Sequence, residues 1–246
     1  NGDLGNQGIH QMDIARWFLG EPELSPSVVS VGGRLGYVDD GNTPNTQIVY
    51  HGYEKAPLIF EVRGLPRDKA SQAEGWGKNM DQFMGARVGV VVHCEGGHVL
   101  VPDYSSSIAF DKSGQEIKRW NGASDHYANF IHAVRTRDVA DLNADILEGH
   151  LSSALCHTGN ISYRLGRKQQ PEAMREQIRE YPDLEEAFNR MLEHLRLNEV
   201  DLQTDQLAMG AGLRMDPQRE VFRRNRAANR LLTREYRKPF VVPKHV

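Results

Sequence analysis

Cysteine is scarce in this chain: Cys94 and Cys156 are the only two in 246 residues. They can form one bridge at most, so the fold does not rest on a disulfide framework, and two buried thiols are the expectation. Long apolar runs are missing as well. No stretch approaches the roughly 20 apolar residues that a membrane-spanning helix requires. A strong charge of either sign is also absent, because 30 Lys and Arg stand against 33 Asp and Glu for a net charge of −3. Nothing in that balance draws the chain to nucleic acid or to an acidic membrane surface. Hydrophobic residues at 39% and charged residues at 26% match globular averages and exclude a disordered chain.

What is present is a helix, a run of strands and then more helix. Ile9, Met12, Ala15 and Leu19 recur at helical spacing, and Gly20 with Pro22 supplies a stop. From Val28 to Trp120 the texture becomes β-branched, in runs at 28–31, 47–50, 58–62, 88–93, 99–101, 108–110 and 116–120. Turn formers such as Asp40-Gly41-Asn42 and Glu95-Gly96-Gly97 punctuate them, which predicts an antiparallel sheet of meandering hairpins. Ser124 is the expected N-cap of a helix whose face carries Tyr127, Phe130, Ile131 and Val134. A longer helical stripe runs from Leu147 to Leu165, and a third holds Leu184, Phe188, Met191 and Leu195, expected to pack on the outside. The fold class is therefore α+β, a mostly antiparallel open-faced sheet with helices on one side. Residues 1–246 are expected to form one such unit, in which 170–246 make a largely helical and extended C-terminal extension.

A dinucleotide-binding domain needs a strand, a Gly-rich turn and a helix, because pyrophosphate sits on exposed backbone N–H groups at the helix start. That pattern is not found. Gly210-Ala211-Gly212 is expected to lack both a preceding strand and a third glycine, and Gly32-Gly33 lies between β-like runs.

At ~100° per residue, Asn6, His10, Asp13 and Trp17 share one face of the opening helix. Oxidising a hydroxyl requires a group that takes its proton, and the imidazole of a histidine suits that task. Asp13 is placed to orient such a ring, and Asn6 or Gln7 to hold a neighbouring hydroxyl. Spacing alone favours the plainer reading, a capped helix that turns its polar side to water, with Asn6 satisfying free N–H groups and His10 exposed.

The segment Gly5-Asn6-Gln7-Gly8-Ile9-His10-Gln11-Met12-Asp13-Ile14-Ala15-Arg16-Trp17 resembles the one that opens the C-terminal domain in the Gfo/Idh/MocA oxidoreductases, named for glucose-fructose oxidoreductase and inositol dehydrogenase. The likeness continues through Ser124–Ile131, His157–Arg167 and Ala228–Phe240, the last similar to a bacterial subgroup. It implies a C-terminal-domain fold like that of glyceraldehyde-3-phosphate dehydrogenase. It also implies NAD or NADP held by a separate Rossmann domain, a sugar or polyol substrate, and a homo-oligomer formed through the sheet. In the family the active-site histidine falls on His10, and an aspartate often precedes it by four residues. Here that place holds Asn6, whose amide hydrogen-bonds but accepts no proton. His157 and Asn160 are expected to line the pocket from the long helix. The chain opens at Asn1 in mid-motif and reads as the substrate-side part of a longer enzyme, cytoplasmic or exported.

Two other readings of the same site stay open. One is an NAD-dependent glycosidase that oxidises transiently and leaves no net reduced cofactor; the other is a binding or oligomerisation module without chemistry. A metal is not expected. His150 and His157 lie two helical turns apart, about 10 Å along the axis, too far to share one small ion. The basic stretch from Arg219 to Lys238 lacks the aromatic platform of a nucleic-acid arm and is expected to pair with acidic groups.

Overall fold

The glycine-rich start breaks the first helix in two. A single turn, α1 (Gly2–Asn6), is followed by α2 (Gly8–Leu19), which ends where Gly20 takes a left-handed φ of 66° and returns its N–H to Arg16 O at 2.8 Å. The computed structural model describes residues 2–243.

Three strands follow, β1 (Ser27–Gly33), β2 (Thr46–His51) and β3 (Leu58–Arg63), each antiparallel to the next. After a short helix α3 (Lys69–Ala73) the chain builds a second, separate sheet from β4 (Val90–Cys94), β5 (Gly97–Val101), β6 (Ser106–Asp111) and β7 (Glu116–Asn121), paired in that order. The next elements are α4 (His126–Thr136), a 3-10 turn (Val139–Asp141), the long α5 (Ile146–Arg164) and the short β8 (Arg167–Gln169). Two more helices come next, α6 (Pro171–Ile178) and α7 (Leu184–Leu197). The chain closes with β9 (Leu207–Met209), β10 (Leu213–Asp216), β11 (Val221–Phe222) and α8 (Arg226–Arg230).

The fold is α+β with antiparallel open sheets. β1 is the centre of the larger sheet. One edge pairs with β2; the other is shared end to end by β10 at Ser27 and Val28 and by β9 at Val31 and Gly32. Between those two contacts Gly210 passes so close to β1 that a Cβ there would lie 2.4 Å from Ser30 O. Its N–H bonds that same oxygen at 2.7 Å.

Side chains alternate across the strands, and both faces of this sheet are covered. Val28 and Val49 point into a core with Met12, Leu155 and Ile161 of α2 and α5. Val29, Val31, Ile48 and Tyr50 point the other way, into a core with Met174, Ile178, Leu184, Phe188, Met191 and Leu195 of α6 and α7. The helices expected on one side are thus α2 and α5, while α6 and α7 close the second face. Residues 170–243, expected as an extension, supply that cover and three strands of the sheet. The helical stripe of α7 lies inside the protein because a sheet with β-branched residues on both faces needs apolar partners on both.

The N-cap of α4 is Asp125, not Ser124: its carboxylate accepts from Ala128 N–H at 3.0 Å. None of the residues of α4 is buried, and Tyr127, Phe130, Ile131 and Val134 are exposed. The smaller sheet meets the body through Ile14 and Ala15 of α2, which pack on Val90, Val92, Val99 and Val101.

Candidate functional site

Helix α2 is the joint between the two sheets, and its faces divide accordingly. Gly8 abuts Phe60 of β3 and Leu4; Met12 enters the main core. Ile14 enters the joint with the smaller sheet. The turn after β5 then brings Tyr104 back onto the helix across 97 residues of sequence.

Tyr104 makes the central contacts of this site. Its hydroxyl accepts from Gln7 Nε2 at 2.9 Å and from Gln11 Nε2 at 3.3 Å, while Gln7 Nε2 also donates to Gln11 Oε1 at 2.9 Å. Its ring meets the imidazole of His10 edge to face, with centroids 5.8 Å apart. Beside it opens a cavity of about 220 Å³ lined by Gln7, Gln11, Ile14, Val88, Gly89, Val101, Pro102, Asp103 and Tyr104. Gln11, Ile14 and Val101 are its buried floor; Val88, Asp103 and Tyr104 are its exposed rim.

Asp103 is held as an anion. Its Oδ1 accepts from the N–H and the hydroxyl of Ser105 at 2.7 and 2.9 Å, and its Oδ2 from the Ser106 hydroxyl at 2.8 Å. The Ser105 N–H, with both hydroxyls, keeps this carboxyl below the usual carboxylate range.

The residues expected from the sequence spread over three places. Asn6, His10 and Trp17 stand exposed along one side of α1 and α2, all three outside the cavity lining, with His10 in ring contact with Tyr104. Gln7 is in the lining itself. Asp13 turns toward α5, where its carboxylate accepts from the Ser152 hydroxyl at 2.7 Å. Arg16, buried beside it, donates to Ser152 at 2.9 Å and to Glu148 at 3.1 Å. His157 and Asn160 lie further along α5, outside the cavity lining, in the part of that helix where Gly159 meets Leu4 and Val49. Partial burial lowers the pKa of His157.

Gln11, Asp103 and Tyr104 escaped the sequence reading. Gln7 and Gln11 are one turn apart, a spacing that marks a shared helical face. Tyr104 gave only the weaker signal of an aromatic in a Pro-Asp-Tyr turn, whose destination depends on how the second sheet docks.

Cys156 is buried against Met12, and desolvation pushes its thiol up to about 12, which removes it as a nucleophile. His150 instead pairs with Glu220 at 2.8 Å. Among the described residues no group of three or more His, Cys, Asp or Glu is placed to hold a metal, and no helix is long and apolar enough to cross a membrane.

No protein-family model and no curated protein matches this chain. Fifteen solved chains are similar to it, among them two each named a "putative oxidoreductase". The one from Thermotoga maritima is 15% identical over 61% of this chain and 41% of its own, with a TM-score of 0.42. The one from Klebsiella pneumoniae is 14% identical over 61% of this chain and 44% of its own, with a TM-score of 0.41. The chain thus spans less than half of either, and likeness at this level carries no argument about activity.

Proposed function

We propose that this chain is the substrate-side domain of a nicotinamide-dependent oxidoreductase of the Gfo/Idh/MocA kind, acting on a sugar or polyol hydroxyl. In this reading His10 takes the hydroxyl proton on oxidation and returns it on reduction. The observation that carries it is the seat of His10: its exposed ring lies against Tyr104, which lines a cavity whose wall includes Gln7 and Gln11, though His10 is not itself in that lining. The resemblance of residues 5–17 to the family's histidine-bearing segment supports the same assignment. A general acid or base has to reach solvent and substrate at once, and an exposed imidazole beside a concave wall meets both needs.

The two glycine clusters weighed in the sequence do not form a pyrophosphate cradle. Gly32 is packed within β1, where a Cβ would lie 2.4 Å from Thr46 O, and Gly210 is sealed against Ser30 and Ser162. Neither leaves free N–H groups at a helix start. NAD or NADP is therefore assigned to a separate domain, and only the proton side of the reaction to this chain. Asn6, close to His10 on the exposed side, is assigned a hydrogen bond to substrate. Asp13 keeps α2 seated on α5. The exposed apolar residues of α4, with Ile117 and Trp120 of β7, offer surface for that second domain or for another subunit.

The test is His10→Ala, assayed together with the dinucleotide-binding domain across a sugar and polyol panel. Turnover is expected to fall by about 10²–10⁴, the range for lost acid/base catalysis. Unchanged turnover rejects the assignment.

A further inference from the structure

We infer that the cavity between α2 and the turn after β5 is a subsite for a single sugar or polyol unit, with the Tyr104 hydroxyl as its specificity-determining donor. The inference rests on the reading that this chain handles a hydroxylated substrate, and it adds where one such unit sits and which groups select it.

The hydrogen-bond count around Tyr104 leads there. Gln7 and Gln11 both donate to its oxygen, from 2.9 and 3.3 Å, so its acceptor side is occupied by the protein. The phenol keeps its own proton to give away. Tyr104 is 65% exposed and lines the cavity, so that proton is available to a ligand there. On the same rim, the Asp103 carboxylate accepts hydrogen bonds at 2.7, 2.9 and 2.8 Å from the Ser105 N–H and the Ser105 and Ser106 hydroxyls, with the Ser106 N–H also acting on it, and of its about four lone-pair sites one is left to a ligand. One donor and one anionic acceptor on a single rim are what adjacent hydroxyls of a polyol satisfy together.

The rest of the wall is aliphatic: Ile14, Val88, Val101 and Pro102. A sugar ring has a polar edge and apolar C–H faces, and this wall accepts the second as the rim accepts the first. At about 220 Å³ the cavity lies below the ~300–1,000 Å³ usual for drug-sized ligands, which suits one ring within it. The ionised Asp103 disfavours anionic ligands such as sugar phosphates. The contact between Tyr104 and His10 places such a unit next to the proposed acid/base group.

The test is a saturation-transfer NMR titration of the full chain with glucose, with glucose 6-phosphate as the anionic control. Wild type is expected to bind glucose saturably and the phosphate more weakly. Tyr104→Phe keeps the ring against His10 and removes the donor together with the acceptor of Gln7 and Gln11, so glucose affinity should fall at least about three- to tenfold, the scale of one neutral hydrogen bond. Val88→Trp, at an exposed rim position, should close the cavity and abolish binding without disturbing the core. Absence of saturable binding, or glucose affinity unchanged in both variants, overturns the subsite. The outcome separates from that of His10→Ala: lost turnover in that variant with KM unmoved by Tyr104→Phe sinks the subsite alone. Weakened binding in Tyr104→Phe with turnover unaffected by His10→Ala sinks the acid/base assignment alone.

Discussion

Ser152 on α5 donates its hydroxyl to Asp13 on α2 at 2.7 Å, and the buried guanidinium of Arg16 donates to Ser152 from 2.9 Å. Arg16 is closed off from water, and its partners Asp13 and Glu148 are what make that burial tolerable. The network spans the interface that sets the pitch of α2, and with it the aim of Gln7, His10 and Gln11.

Asp13→Asn keeps an acceptor for Ser152 but removes the charge beside Arg16. Stability is expected to fall by about 1–3 kcal/mol, read from urea midpoints. Turnover per folded molecule should stay far above that of His10→Ala. A loss as deep as that of His10→Ala would make Asp13 part of the proton path instead.

His51 predicts an acid-sensitive core. It is fully buried on β2, neither ring nitrogen has a hydrogen-bond partner among the described residues, and burial, opposed only by the nearby Leu155 backbone, drives its pKa down to about 3. A histidine lowered on folding binds its proton more readily when unfolded. Its contribution is therefore present in full above the unfolded value near 6.5 and is lost as pH falls toward 3. The slope it adds is at most about 1.4 kcal/mol per pH unit. Urea midpoints between pH 7 and 4 should drop less steeply in His51→Leu than in wild type; parallel curves reject the claim. His157 and His194 are also lowered by burial, but both are present in either protein and cancel in the comparison.

Phe188 tests whether residues 170–243 belong to the core. It is fully buried between α7 and the main sheet, with the Arg175 guanidinium 5.7 Å from its ring centroid. Phe188→Ala should cost about 3–5 kcal/mol in a chemical denaturation experiment. A change under about 0.5 kcal/mol, usual for surface positions, would make this segment a loosely attached appendage.

Much of the secondary structure was legible because period and punctuation are local. The strand runs between Val28 and Trp120, and the stripes Leu147–Leu165 and Leu184–Leu195, stand where spacing put them, except that the run expected from Val88 begins at Val90. The side on which α7 packs was not legible. A strand with valines at 28, 29 and 31 is apolar on both faces, and only the assembled sheet shows that α5 takes one and α7 the other. The insertion of β9 and β10 alongside β1 was equally hidden, since pairing between residues as far apart in sequence as Ser27 and Arg214 leaves no local trace.

At the site, the sequence by itself determined that His10 shares a helix with Asp13, because 3.6-residue periodicity needs no partner to be read, whereas the break at Gln7 that leaves Asn6 at the end of α1 was not legible. Only the tertiary structure decided what those residues face. It sent Asp13 to Ser152, left Asn6 and His10 at the surface, and brought Tyr104 across from the second sheet to build a cavity beside them. Helix periodicity fixes angles within an element, whereas a cavity is the space left between elements, set by how Ile14 and Val101 pack at the joint.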